Sequence, residues 1–283
     1  MSHFINLVLY SGAFIGICAG CITAVSFSAA WQLNNSPRYM LFIALATAAL
    51  YTFHRVIGLN KLSHINNSHR LDTIRQYKRH IVIYGFIWTI LAIWCFIPLW
   101  KFDLIQWLLP GMLLGALYVF PVFPGRRRIR DLGWGKIVVI AIAWGWLTAF
   151  IPFYNFVGAS WLLSTIHGLE RAMFIFLITI PFEIRDIDVD QSVGLRNLPT
   201  ILGRRRTFIL SVFLAFCIVT LALFPFIQFY NLAYTVTMGI VVLISLVIIR
   251  YSYRIRNDYF FSGLTDGVMI LALLLQFVLE SWL

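Results

Sequence analysis

Apolar runs of about twenty residues, the length that crosses a bilayer as a helix, recur along almost the whole chain. They fall at roughly 9–32, 39–57, 80–100, 104–123, 136–154, 160–184, 207–227, 231–250 and 263–282. The pattern predicts an all-α integral membrane protein with nine transmembrane helices. Pro110, Gly111 and Gly115, beside Tyr118 in the fourth run, do not argue against a helix there. Membrane helices tolerate such residues as kinks and points of close packing. No low-complexity linker interrupts the series, so residues 1–283 read as one polytopic domain.

The polar connections alternate in charge. Those after the second, fourth, sixth and eighth runs hold 19 of the 22 Lys and Arg residues, including the Arg126-Arg127-Arg128 cluster. The other connections hold only Arg38 and Lys101, and Arg171 lies inside the sixth run. Basic loops stay cytoplasmic. The bias therefore predicts a cytoplasmic N-terminus and an outside C-terminus.

Composition narrows the function classes. At 61% hydrophobic and 12% charged residues, the chain is no soluble domain. Its net charge of +11 is explained by loops facing anionic lipid rather than by nucleic acid. The four cysteines (Cys18, Cys21, Cys95, Cys217) all lie in predicted spans, where extracellular disulfides do not form. Residues 7–31 are too long an apolar stretch for a signal peptide and read as a retained first helix.

The polar chemistry is concentrated in one place. Four of the eleven acidic residues, Glu183, Asp186, Asp188 and Asp190, follow the sixth run directly. Carboxylates beside a bilayer are costly and usually functional. On a continuous helix Asp186 and Asp190 share a face, Glu183 points near both, and Asp188 faces elsewhere. Such a stripe has the charge to hold Mg2+, which favours carboxylates plus substrate phosphates. The competing reading is a solvated acidic helix end neutralised by Arg185 and Arg196. Glu170-Arg171, about 22 Å earlier along a helix, reads as a structural pair at the outer interface. Asp266 and Glu280 read as isolated interfacial acids. Trp88, Trp94, Trp100 and Trp107 sit where interfacial aromatic belts are expected.

Asp186-x-x-x-Asp190, then Gly194, Arg196-Asn197-Leu198-Pro199-Thr200 and Leu202-Gly203, resembles the second aspartate motif of the UbiA superfamily of intramembrane prenyltransferases. Leu117-Tyr118-Val119-Phe120-Pro121 followed by Arg126-Arg127-Arg128 is similar to that family's tyrosine and basic segment after the fourth helix. The resemblance implies a nine-helix bundle with a cytoplasmic-facing site in a bacterial inner membrane. It also implies transfer of a prenyl group from a prenyl diphosphate to an aromatic or other acceptor. Asp186 and Asp190, with Glu183 as an added ligand, are the implied Mg2+ site. Tyr118, Arg127 and Arg128 are implied contacts to the diphosphate substrate.

One departure stands out. The family carries another acidic motif after the second helix. Here Tyr51 to Lys61 contains no carboxylate, and His54 and Arg55 stand in its place. Three readings stay open. His54 and Arg55 contact the diphosphate directly beside one metal cluster; the substrate is a different phosphorylated lipid; or the protein binds isoprenoid lipid without catalysis.

Overall fold

The computed structural model describes residues 8–9, 11–59, 75–119, 133–192, 194–229, 231–255 and 257–282. All regular structure among them is helical. In chain order the helices are α1 Ala13–Ala29, α2 Pro37–Leu59, α3 Lys78–Phe96, α4 Phe102–Val119, α5 Gly135–Val157, α6 Trp161–Arg185, α7 Ile187–Ser192, α8 Leu198–Leu221, α9 Leu223–Phe229, α10 Leu232–Ser252 and α11 Phe260–Glu280.

Among the described residues, seven spans are long and apolar enough to cross a membrane: α2, α3, α5, α6, α8 with its continuation α9, α10 and α11. The expectation of nine is corrected on length alone. The first and fourth predicted spans form helices, but α1 has 17 residues, about 25 Å at 1.5 Å per residue, short of a 30 Å hydrocarbon core. The fourth, over Asp103–Tyr118, is likewise short.

Small residues bring the helices together. A Cβ on Gly16 of α1 would lie 2.6 Å from the Ala44 carbonyl and 2.8 Å from the Ala48 methyl of α2. A Cβ on Gly145 would lie 2.8 Å from the Ala172 methyl and clash with the Gly168 carbonyl, so α5 and α6 cross nearly backbone to backbone. In lipid, where tails are as apolar as side chains, such packing replaces the hydrophobic drive between helices. Pro152 interrupts α5, whose second half runs in wide, π-type turns ending at Gly158 (φ +72°).

Two apolar cores result. The larger runs through α1, α5, α6, α8, α10 and α11, around Ile22, Phe174, Ile178, Met238 and Val268. The other joins α1, α2, α4 and α5 and is aromatic, with the Trp146 ring stacked on Phe150 at 4.2 Å and 9°. Trp107 belongs to this core, its ring 5.9 Å from Trp146. Trp94 and Trp100 face outward as expected. Ile90, Trp94, Phe216 and Leu243 are also exposed, an apolar exterior suited to lipid.

Glu170 and Arg171 correct the interfacial reading, since both are fully buried. Arg171 Nη1 donates to the Ile22 carbonyl of α1 at 2.5 Å. Tyr234 of α10 donates to Glu170 Oε2 at 2.5 Å, and His167 Nδ1 lies 3.4 Å from the same oxygen. Asp266 and Glu280 are not isolated either. Glu280 Oε1 accepts from Ser28 of α1 at 2.5 Å and from Gln276 at 2.8 Å. Asp266 lies within electrostatic reach of Arg55 and Arg185.

Candidate metal and diphosphate site

The acidic stretch is not one straight helix. α6 stops at Arg185, and Asp186 sits at the joint with φ −85° and ψ 3°. This bridge conformation is sparsely populated and common in active sites. The break is shallow, because the Asp190 amide still donates to the Asp186 carbonyl at 2.8 Å. Helix α7 then closes with paired bonds. The Leu195 amide reaches the Asp190 carbonyl at 2.8 Å, and the Gly194 amide reaches the Gln191 carbonyl at 3.1 Å. With Gly194 at φ +73°, this is a Schellman closure, which favours glycine at that position. The chain doubles back, and Asn197 comes to lie under Asp190.

Asn197 is fully buried and has two jobs. Its Oδ1 caps α8 by accepting from the Thr200 amide at 3.1 Å. Its Nδ2 donates to the Glu183 carbonyl at 2.9 Å and to Asp190 Oδ2 at 3.2 Å. Leu198 and Pro199 fill the next two positions, where proline's missing N–H costs nothing. Gly203 breaks α8 again with φ 74° and ψ 164°, a region open essentially to glycine alone. The Asn-Leu-Pro-Thr and Leu-Gly portions of the sequence motif are thus backbone devices. Asn197→Ala is expected to lower folding stability by about 1–2 kcal/mol, the usual cost of a lost N-cap. Thermal unfolding in detergent measures it.

Two cations answer the carboxylates. Lys136, in the first turn of α5, places Nζ 2.8 Å from Asp190 Oδ2 and 3.0 Å from Glu183 Oε1. The loop before it is pressed onto the loop after α7. A Cβ on Gly133 (φ +66°) would lie 2.6 Å from the Arg196 carbonyl. Asp186 turns the other way. Arg185 holds it with both prongs, Nε to Oδ1 at 2.8 Å and Nη2 to Oδ2 at 3.3 Å. The Arg185 guanidinium also lies over the Phe182 and Phe261 rings at 5.1 and 5.6 Å. The predicted stripe is therefore split: Glu183 and Asp190 share Lys136, and Asp186 pairs with its neighbour.

Of the other predicted residues, His54 and Tyr118 line a crevice that shares α5 with this cluster. Their rings lie 5.4 Å apart. The crevice, of about 390 Å3 with its open mouth included, lies between α2, α4 and α5, with Tyr51, Leu114, Gly115 and Trp144 in its walls. Arg55 Nη1 donates to the Leu9 carbonyl at 2.7 Å. Arg55 and Arg185 both lie within electrostatic reach of Asp266. Arg127 and Arg128 lie outside the described residues.

Among the described residues, no three His, Cys, Asp or Glu side chains converge as a metal cage. Mg2+ is usually held by one or two carboxylates and completed by substrate phosphates; Asp186 and Asp190 stand one turn apart, each already engaged by a different cation. Glu183 suits such a site less well. It is 3% exposed, its Oε1 is on Lys136, and its Oε2 is buried with no hydrogen-bond partner among the described residues. Lys136 and Asn197 are the residues that sequence reasoning missed. Only the cap position of Asn197 before Leu-Pro carried a local signal.

The pattern of the UbiA prenyltransferase family matches residues 72–260, more than half of the chain. The chain belongs to the UbiA prenyltransferase family. The match starts beyond residues 51–61, where the family's other acidic motif is missing. Solved structures of UbiA relatives share the fold at low identity. A UbiA homolog from Archaeoglobus fulgidus, solved with GPP and Mg2+, is 15% identical with a TM-score of 0.66, covering 98% of this chain and 99% of that one. The apo UbiA homolog from Aeropyrum pernix K1 is 15% identical with a TM-score of 0.65, covering 97% and 98%. A digeranylgeranylglyceryl phosphate synthase is 14% identical with a TM-score of 0.54, covering 98% of each chain. No curated protein matches the chain.

Proposed function

We propose that the chain is a membrane prenyltransferase whose donor is a prenyl diphosphate. The observation that carries this reading is the gathering of carboxylates and cations at the end of α6, Asp190 on Lys136 and Asp186 on Arg185, with Lys136 on the same helix α5 whose next turns line the crevice of His54 and Tyr118. Carboxylates beside basic side chains suit a Mg2+-bridged diphosphate. The apolar and aromatic crevice suits the prenyl tail. The archaeal relative solved with GPP and Mg2+ supports the same pairing of ligands.

In this reading Asp186 and Asp190 would hold Mg2+, which would supply Lewis-acid stabilisation of the leaving diphosphate. The allylic carbon–oxygen bond breaks, its electron pair departs with the diphosphate, and a nucleophilic atom of an aromatic or other acceptor takes up the prenyl cation and then loses its proton. Arg127, Arg128, His54 and Arg55 are assigned to the diphosphate. Tyr118 and Trp144 wall the tail site and keep water from the cation.

The assignment extends to the membrane. The two shorter helices, α1 and α4, cross with the seven longer spans to give nine. The basic loops, the N-terminus and the acidic cluster face the cytoplasm, in a bacterial inner membrane, and residues 1–283 act as one domain. A second reading, a lipid-binding protein without catalysis, draws on the absence of any carboxylate at 51–61 and the engagement of Arg55 with Leu9.

The deciding experiment is geranyl diphosphate binding to the purified protein in detergent, with and without Mg2+, beside Asp186→Asn. The expected result is Mg2+-dependent binding that weakens on the order of tenfold or more in the variant, a change of about 1.4 kcal/mol or more. Binding indifferent to both Mg2+ and Asp186 sinks the proposal.

A further inference from the structure

We propose that Lys136 is a built-in cation of the acidic motif: it fills the space between Glu183 and Asp190 that a divalent ion would need, so the site takes up metal only together with the diphosphate. The inference deepens the prenyl diphosphate reading and rests on it for its purpose.

Geometry is the first support. One ammonium lies 3.0 Å from Glu183 Oε1 and 2.8 Å from Asp190 Oδ2. The three side chains are only 12%, 3% and 12% exposed. Two carboxylates sharing so small and dry a space repel each other unless a cation sits between them. Lysine, a compact point charge on a long stem, can fill that role. It is also held in position. Its helix begins where Gly133 meets the Arg196 carbonyl, and Asn197 fixes Asp190 from below.

Charge counting is the second support. Lys136 returns one positive charge to the Glu183–Asp190 pair and occupies one oxygen of each carboxylate. What is left of the pair is a weaker attraction for a free divalent ion. An arriving diphosphate adds its own negative oxygens and makes a metal favourable. Glu183 is then a positioning residue that holds Lys136. Its second oxygen is sealed inside the protein rather than offered to a metal.

Mn2+ titration followed by electron paramagnetic resonance, on the full chain in detergent, tests this without turnover. Without geranyl diphosphate, wild type is expected to bind Mn2+ weakly. Lys136→Met should bind one Mn2+ on the order of tenfold more tightly, because an uncompensated carboxylate pair is exposed to it. Lys136→Arg should behave as wild type, and adding Glu183→Gln to Lys136→Met should cancel the gain. If Lys136→Met does not fold, Lys136→Gln gives the same readout with a hydrogen-bond donor retained. Equal Mn2+ affinity in wild type and the charge-removing variant overturns the proposal. So does a gain that survives Glu183→Gln. A failure of geranyl diphosphate to bind any variant would instead sink the prenyltransferase reading, because the Mn2+ comparison contains no diphosphate.

Discussion

Arg171→Met is expected to destabilise the folded protein by about 3–5 kcal/mol, the scale for removing one of two buried charges that offset each other. Arg171 and Glu170 are both fully buried. Arg171 ties α6 to the Ile22 carbonyl, while Glu170 takes its hydrogen bond from Tyr234. His167 stacks on Phe153 at 3.9 Å and completes the group. Without the guanidinium, the Glu170 carboxylate is left in an apolar interior with Tyr234 and His167 alone. The network is costly even when intact. Arg171 Nε and Nη2, Glu170 Oε1 and His167 Nε2 have no hydrogen-bond partner among the described residues. Removing both charges together should therefore cost much less than removing one. The double variant Glu170→Gln with Arg171→Met is expected to recover most of the loss. Unfolding in mixed micelles, read as a double-mutant cycle, measures the coupling. A double variant as damaged as Arg171→Met would show that the group acts by shape rather than by charge.

Asp190→Asn is expected to reduce turnover by about 10²–10³-fold, the scale seen when one preorganised electrostatic contact to a developing charge is removed. Asp190 contributes to the site from two sides. In the proposed chemistry it would offer an oxygen to the metal that bridges to the diphosphate, and it anchors Lys136 and Asn197. The amide keeps the shape but cannot hold the ammonium as a charged partner. The assay is Mg2+-dependent diphosphate release from geranyl diphosphate in detergent, with folding checked by helical content. Asp188→Asn is the control. Asp188 is exposed on the opposite side of α7, and its loss should change the rate less than twofold, a range expected of exposed substitutions.

Hydropathy placed each long helix in a predicted span, because lipid demands long apolar runs and a fully paired backbone. It did not reveal the short α7 in the acidic connection, nor that α8 begins at Leu198. The acidic motif was legible because its spacing is local. Its internal wiring was not. Lys136 is 47 residues before Glu183 and 54 before Asp190 in the chain, and no local pattern marks so distant a pair. The stripe was drawn on an unbroken helix, and the joint at Asp186 turned one carboxylate toward Arg185 instead. Glu170 and Arg171 read as an interfacial pair because a one-dimensional pattern cannot distinguish a charge near a helix end from one facing neighbouring helices. Trp107 was misplaced in the lipid belt for the same reason.

Helix α6 carries polar clamps at both ends. Glu170 and Glu183 are thirteen residues apart, about 20 Å of helix, and each is locked to other helices. Such a rod cannot slide or rotate by even one residue step without unseating both clamps at once. In the proposed reaction α6 would stay fixed, and the motion that admits and releases lipid is expected at α2 and α3, the least buried of the seven spans. Spectroscopic probes on α6 should therefore keep constant separations through a reaction cycle, while pairs joining α6 to α3 report the opening.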